Sequence, residues 1–274
     1  MTTNLLFNNI LLKNSFLCVG LDPDLSKMPT HLLSCDDPVF EFNKQLIKAT
    51  HPYTVAYKLN TAFYEALGIK GWISLEKTIK YLNQNYPEIF TIADAKRGDI
   101  GNTSTKYAEA FFSALNFHSI TVSPYMGIDS VEPFLAFEDK FTIVLALTSN
   151  TGSKNFQEKT IDGKSVFKTV IYESLQWKNS QNLMYVVGAT KATEIKEIRK
   201  IVPNHFLLIP GVGAQGGSLK DVCLYGMNNQ VGLLINSSRE IIYAGNESDF
   251  AEKAAQKAKL LQAEMKQELI SKGF

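Results

Sequence analysis

Charged side chains with spacing suited to acid-base and electrostatic catalysis occur in the segment Asp94-Ala-Lys96-Arg-Gly-Asp99. The apolar run that leads into it, 90–95, predicts a buried strand. Because side chains alternate along a strand, we expect Asp94 and Lys96 to face the same, interior side. Charges there must be paired, so we predict a network of both residues with Lys58 and, as a further candidate, Asp99. A surface Asp-Lys pair in a loop is the alternative interpretation.

A second candidate is the glycine-rich segment 210–217, Pro-Gly-Val-Gly-Ala-Gln-Gly-Gly, which contains G-x-G-x-x-G between a predicted strand and helix. A dinucleotide site normally has this pattern after the first strand, whereas here it follows the seventh. Arg239 follows the eighth predicted strand. Backbone N–H groups at Gly213 and Gly216, together with an arginine, suit a phosphate monoester. The alternatives are ordinary turn glycines and a solvated arginine.

The elements that must position these residues are short apolar runs alternating with amphipathic stretches. The predicted strands are 16–21, 53–59, 90–95, 119–123, 142–147, 183–187, 205–209 and 230–235. The predicted helices are 39–49, 75–83, 104–115, 131–137, 165–177, 192–202, 219–224 and 248–271. Eight such units predict an α/β fold, a (β/α)8 TIM barrel, with a doubly wound open sheet as the alternative. Catalytic groups are then expected at the carboxyl ends of the strands.

Domain organisation follows from the even composition of the chain. No linker, repeat or low-complexity tract divides residues 1–274, so a single catalytic domain is predicted. The polar stretch 149–164 after strand five is the exception to compact spacing, and it predicts a lid or a disordered loop.

Composition limits the partners of the protein. The formal net charge is +1, with 28 basic and 27 acidic residues, which favours neither nucleic acid nor an anionic membrane. The three cysteines lack a C-x-x-C pair, and the four histidines lack metal-ligand spacing, so neither a disulfide framework nor a metal is expected. No basic leader or membrane-length apolar run is present. A cytoplasmic location is therefore expected.

The segment 94–103, Asp-Ala-Lys-Arg-Gly-Asp-Ile-Gly-Asn-Thr, resembles the signature of the orotidine 5′-phosphate decarboxylase family. Further segments with the order seen in that family are 21–23, 58–65, 148–150, 211–217 and 238–239. Length and the Thr-Ser-Asn segment at 148–150, with its long following loop, are similar to the longer bacterial branch. The resemblance implies conversion of orotidine 5′-phosphate to UMP and CO2, the last step of pyrimidine nucleotide biosynthesis, with no cofactor or metal.

The resemblance also implies a role for each site residue. Lys58, Asp94, Lys96 and Asp99 form the catalytic tetrad. Asp22 and Thr103 contact the ribose, and Thr148 or Ser149 contacts the pyrimidine. Gln215 and Arg239 bind the phosphate, beside the glycines already named. The resemblance further implies a homodimer in which Asp99 and Thr103 reach the site of the neighbouring subunit.

Two other functions compete with this interpretation. A Mg²⁺-dependent sugar-phosphate decarboxylase or aldolase shares the Asp-x-Lys-x-x-Asp element, but it needs a carboxylate on strand two, where this sequence has Lys58. A non-catalytic phosphate-binding barrel would be favoured by a broken tetrad, and the tetrad residues are all present.

Overall fold

The computed structural model describes residues 1–213 and 216–274. Within them, eight parallel strands lie in chain order around a closed barrel, and the last strand neighbours the first. The strands are β1 (Leu17–Gly20), β2 (Ala56–Asn60), β3 (Phe90–Arg97), β4 (Ser119–Val122), β5 (Phe141–Leu147), β6 (Leu183–Val187), β7 (Leu207–Pro210) and β8 (Leu233–Ser237). The predicted barrel is confirmed and the open sheet is excluded.

Helices follow the strands, as the sequence pattern predicts. They are α1 (Thr3–Lys13), α2 (Pro38–Thr50), α3 (Thr61–Glu65), α4 (Gly68–Asn85), α5 (Gly101–Ala108), α6 (Glu132–Leu135), α7 (Val166–Ser174), α8 (Ala192–Ile201), α9 (Leu219–Gly226), α10 (Arg239–Ile242) and α11 (Phe250–Ser271). A π-helical turn, Glu109–Ala114, continues α5. In the described part of the chain, no helix has the length and apolarity needed to cross a membrane.

Strand register at the start of the barrel decides which polar residues lie side by side. Gly20 of β1 pairs with Lys58 of β2, and Asn60 of β2 pairs with Asp94 of β3. The strands are buried almost throughout, as expected for a parallel sheet covered by helices. The polar groups at their carboxyl ends are therefore fixed by a rigid scaffold.

The chain forms two compact units. The first comprises Met1–Ala95, Leu115–Phe117 and Asn236–Phe274, and the second comprises Lys96–Ala114 and His118–Ile235. In the first unit α11 packs on α2, where the rings of Phe42 and Phe250 stack with centroids 5.3 Å apart. The second unit buries Phe134 and Phe206 completely or nearly so. Each unit thus has its own apolar core.

Two parts of the chain have structure that the sequence pattern did not specify. The stretch 149–164 is ordered: it contains a 3₁₀ turn, Thr151–Asn155, and a two-stranded antiparallel hairpin, Thr160–Ile161 with Lys164–Ser165. Helix α1 was not predicted from the sequence. Its amino end is capped by Thr2, whose hydroxyl accepts a hydrogen bond from the Leu5 N–H at 3.2 Å.

Candidate active site

Three charged residues meet in the first unit at the ends of β1, β2 and β3. The Lys58 ammonium donates to Asp94 Oδ2 at 2.9 Å and lies 3.7 Å from Asp22 Oδ1. The side chains are only 7%, 11% and 14% exposed for Lys58, Asp94 and Asp22. The predicted pairing of Lys58 with Asp94 is confirmed, and Asp22 joins the same buried ion cluster.

The charge state of Lys58 follows from these neighbours. Burial by itself lowers the pKa of the ammonium, but the carboxylates of Asp22 and Asp94 outweigh burial and raise it above the ordinary value. Lys58 therefore stays protonated throughout the physiological range. Beneath it, burial raises the pKa of the Cys18 thiol to about 12, so Cys18 is a neutral neighbour of the cluster.

The Asp22 carboxylate is held by one of its two oxygens. Ser238, just after β8, donates its hydroxyl to Asp22 Oδ2 at 2.7 Å. The other oxygen, Oδ1, is buried and has no hydrogen-bond partner among the described residues. An acceptor of this kind is suited to a hydroxyl group of a bound molecule.

The backbone around Asp22 is fixed by Tyr243. The Tyr243 hydroxyl donates to the Asp22 carbonyl oxygen at 2.9 Å and accepts from the Asp24 N–H at 2.7 Å. Tyr64 donates to the carbonyl oxygen of Leu21 at 3.0 Å. The turn after β1 is thus held on both sides.

Lys96 departs from the extended backbone that strand alternation assumes. Its φ is +48°, in the left-handed region, and its side chain is exposed. Alternation holds only for extended backbone, and this residue leaves that conformation one position before the strand ends. The Lys96 N–H is held by the Thr121 hydroxyl at 2.9 Å.

Asp99 lies in the loop between β3, which ends at Arg97, and α5, which begins at Gly101. Its N–H donates to Ser104 Oγ at 3.1 Å, and its carboxylate accepts from the Ile100 N–H at 2.8 Å. Gly98 allows the loop to pass close to β4, since a Cβ there would meet the Ser123 carbonyl oxygen at 2.8 Å. Thr103 lies in the first turn of α5 with its side chain exposed.

The ordered stretch after β5 is fastened at Thr148. The side-chain oxygen of Gln157 accepts from the Thr148 N–H at 2.7 Å, and its amide nitrogen donates to Thr148 Oγ1 at 3.0 Å. Ser149 packs closely against Gly188, just after β6. A Cβ on Gly188 would lie 2.8 Å from both the Cα and the Cβ of Ser149. The stretch therefore has a defined conformation at both pyrimidine-site candidates.

An ion pair holds the middle of the same stretch. Lys191 Nζ lies 2.7 Å from Glu158 Oε1, which also accepts from the Ser153 hydroxyl at 2.5 Å. These hydrogen bonds from Lys191 and Ser153 hold the pKa of Glu158 below its ordinary value.

The described glycines of the segment after β7 have turn conformations. Gly211, Gly213 and Gly216 all have positive φ, and Gly213 and Gly216 are exposed. Gly217 leaves no room for a side chain, since a Cβ would lie 2.4 Å from that of Ala189. Gln215, the predicted phosphate ligand, lies outside the described residues. Arg239 is exposed at the first position of α10, and it forms no ion pair within residues 1–213 and 216–274.

Comparison with known proteins shows which family the chain is similar to. The model of the orotidine 5′-phosphate decarboxylase / HUMPS family matches residues 15–254. The chain belongs to this family. Orotidine 5′-phosphate decarboxylase of Flavobacterium johnsoniae is 66% identical over 272 residues, covering 99% of this chain and 100% of that protein. The same enzyme of Christiangramia forsetii is 64% identical over 269 residues, covering 98% of this chain and 99% of that protein.

A solved structure carries the same fold. The OMP decarboxylase of Leishmania donovani is 35% identical, with a TM-score of 0.80, and the match covers 96% of this chain and 100% of that one. The resemblance noted from the segment 94–103 is thus confirmed for the orotidine 5′-phosphate decarboxylase family as a whole-chain relationship.

Some residues that organise this family member were not assigned a role from sequence. Ser238 and Tyr243 hold Asp22, and Gln157 holds Thr148. The signal for Ser238 was its place next to Arg239 at a strand end, where polar side chains need an explanation. Nothing in the sequence pattern distinguishes Gln157 from other polar residues of its loop.

Proposed function

We propose that this protein decarboxylates orotidine 5′-phosphate to UMP and CO2. The observation that carries the proposal is Lys58 on β2, buried between Asp22 and Asp94, in a chain that belongs to the decarboxylase family throughout its length. A Mg²⁺-dependent sugar-phosphate relative would need a carboxylate at this strand. An ammonium there favours chemistry in which lysines, and no metal, supply the positive charge.

The reaction breaks the bond between C6 of the pyrimidine and its carboxylate. The electron pair stays on C6 because the ring offers no enolate-type electron sink, so a cation and a proton donor are required. Lys96 is proposed for both roles, and its ammonium proton passes to C6 as UMP forms. Asp94 is two residues from Lys96 in sequence, and Asp99 is proposed to reach the site from the neighbouring subunit. The negative charge of both carboxylates attracts the lysine ammonium and disfavours the substrate carboxylate.

Binding is assigned to the remaining candidates. Asp22, with its unpartnered buried oxygen, and Thr103 are proposed to contact the ribose. Thr148 or Ser149 is proposed to contact the pyrimidine. The phosphate is assigned to Arg239, Gln215 and the backbone at Gly213 and Gly216, in line with the positive φ of these glycines and the exposed guanidinium. Phosphate binding far from C6 supplies energy that positions the ring.

The experiment that tests the proposal is a continuous ultraviolet assay of the orotate chromophore with orotidine 5′-phosphate as substrate. We expect absorbance to fall at the same rate with and without EDTA, and UMP to accumulate in equal amount. Complete loss of turnover in EDTA that Mg²⁺ restores would instead identify the sugar-phosphate class. Absence of turnover with intact UMP binding would identify a phosphate-binding barrel.

Assembly and location are also proposed. A homodimer with Asp99 and Thr103 donated across the interface is supported by the position of Asp99 on a loop rather than within β3. A reducing, cytoplasmic location is supported by the three cysteines, Cys18, Cys35 and Cys223, which form no disulfide within residues 1–213 and 216–274. Action of residues 1–274 as one catalytic domain stays a prediction from the sequence.

A further inference from the structure

The turn between β8 and α10 controls the orientation of the Asp22 carboxylate. We propose that Ser238 is a positioning residue for the decarboxylation: its hydroxyl fixes Asp22 so that one carboxylate oxygen stays open for a ribose hydroxyl and Lys58 stays with Asp94. The inference rests on the proposed function, because it presupposes that Asp22 contacts the sugar.

The first observation behind this proposal is that the two carboxylate oxygens of Asp22 have different hydrogen-bond environments. Oδ2 accepts the Ser238 hydroxyl at 2.7 Å, which uses that oxygen. Oδ1 is 3.7 Å from the Lys58 ammonium, beyond hydrogen-bond distance, and is buried without a partner among the described residues. A buried acceptor left open in this way is ready for a donor that only a ligand brings.

The second step concerns what happens without the Ser238 hydroxyl. A carboxylate released at Oδ2 can turn and close the 3.7 Å gap to Lys58. Lys58 donates to Asp94 at 2.9 Å, so Asp22 would compete with Asp94 for the same ammonium. The open acceptor would then be lost to the ribose, and the Lys58–Asp94 pair would be disturbed.

The absence of a side chain at Gly20 is a second, independent observation in support of the contact between Ser238 and Asp22. A Cβ on Gly20 would lie 2.8 Å from the Cβ and 2.9 Å from the Oγ of Ser238. Only a residue without a side chain lets Ser238 approach β1 closely enough to reach Asp22. The Gly20 carbonyl oxygen is a second, longer acceptor at 3.1 Å from the same hydroxyl, whose single proton is directed mainly to Asp22.

The test compares Ser238→Ala with the parent enzyme in two measurements. The first is kcat/KM for orotidine 5′-phosphate, expected to fall about tenfold through loss of a hydrogen bond to a charged group. The second is inhibition by UMP and by its 2′-deoxy and 3′-deoxy analogues. We expect the parent to prefer UMP over at least one analogue by about tenfold, and Ser238→Ala to reduce that preference to within about twofold. Ser237→Ala, at the adjacent buried serine of β8, is the matched control and should retain the preference.

A double-mutant cycle separates action through Asp22 from a general structural effect. In an Asp22→Ala background, Ser238→Ala should cause no further loss of kcat/KM. Equal losses in both backgrounds, or an unchanged preference for UMP in Ser238→Ala, overturn the proposal. A parent that does not convert orotidine 5′-phosphate overturns the proposed function instead, and that result is read from the parent alone. Should Ser238→Ala not fold, Ser238→Cys, which keeps the size of the side chain but donates only weakly, must show the same loss of preference.

Discussion

At the scale of single residues, Lys58 shows how a buried cation is maintained. A charge taken out of water is strongly unfavourable unless paired, and here two carboxylates surround one ammonium. The cluster is net negative, so it remains attractive to a second cation. Replacing Lys58 or Asp94 would leave a buried charge with fewer partners and would destabilise the fold. Variants of these two residues therefore cannot distinguish a loss of catalysis from a loss of folding. Lys96, whose side chain is exposed, is the better residue for that purpose.

For Lys96→Ala we expect kcat to fall by roughly 10⁴-fold or more while UMP still binds, because the ammonium acts on charge that develops only in the transition state. Single-turnover ultraviolet kinetics and calorimetric titration of UMP measure the two effects. An equal loss in kcat and in UMP affinity would show that Lys96 contributes to ground-state binding instead.

For Arg239→Ala we expect UMP affinity to fall about 10- to 100-fold and uridine affinity to stay unchanged, since hydrogen bonds to a phosphate are charge-assisted. Calorimetry with both ligands makes the comparison, and Lys80→Ala, at an exposed lysine of α4, is the control. Unchanged UMP affinity would remove Arg239 from the phosphate site.

The sequence predicted side-chain contacts correctly where the backbone has regular strand geometry. The pairing of Lys58 with Asp94 followed from two strand ends in a parallel sheet, and the structure has it at 2.9 Å. The backbone conformation of Lys96 did not follow, because its positive φ depends on the loop and on the Thr121 hydroxyl bound to its N–H. Local backbone departures of this kind leave no trace in an alternation pattern.

At the scale of elements, the stretch after β5 is a folded insertion rather than an open loop. Gln157 holds its first residue, Lys191 and Ser153 hold Glu158, and a short hairpin precedes α7. The polar composition predicted a lid or a disordered loop and could not show the internal structure, because side-chain hydrogen bonds of this kind depend on which residues meet in space. Composition contains no such information.

The Glu158 pair makes this stretch sensitive to acid. The pKa of Glu158 is held below its ordinary value of 4.5 by Lys191 and Ser153, so its stabilising contribution is present above that value and is lost as pH falls through the lower, folded-state pKa. We expect hydrogen exchange in 151–165, corrected for intrinsic rates, to accelerate below about pH 4.5.

Glu158→Gln should show fast exchange that changes little with pH. Glu197→Gln is the control, because Glu197 forms a more exposed pair with Lys200 at 2.8 Å on α8. Equal pH dependence in Glu158→Gln and the parent would show that another group titrates.

The start of β8 shows a limit of the hydrophobicity pattern in predicting where a strand begins. The last strand was predicted at 230–235, whereas β8 spans Leu233–Ser237. Val231 and Gly232 have positive φ, and Asn228 and Val231 close a turn with N–H to carbonyl distances of 3.1 Å. An apolar residue in a turn conformation cannot be told from a strand residue by hydrophobicity alone.

At the scale of the whole molecule, the proposed shared site predicts complementation between two inactive variants. Lys96→Ala and Asp99→Ala, mixed and allowed to exchange subunits, form heterodimers in which one site carries both lesions and the other carries neither. Random exchange should restore about a quarter of the parental activity. Native mass spectrometry verifies exchange, and Lys96→Ala mixed with itself is the control. Background activity after verified exchange would place Asp99 in the site of its own subunit.

The left-handed backbone at Lys96 has a consequence for how such an enzyme can be improved or can evolve. A non-glycine residue held there costs about 1–3 kcal/mol, a penalty that glycine would not incur. Selection for thermal endurance alone would therefore drift away from lysine at the position where the proposed proton donor stands. Stabilising the scaffold and keeping the proposed proton donor are therefore opposed demands at this one residue.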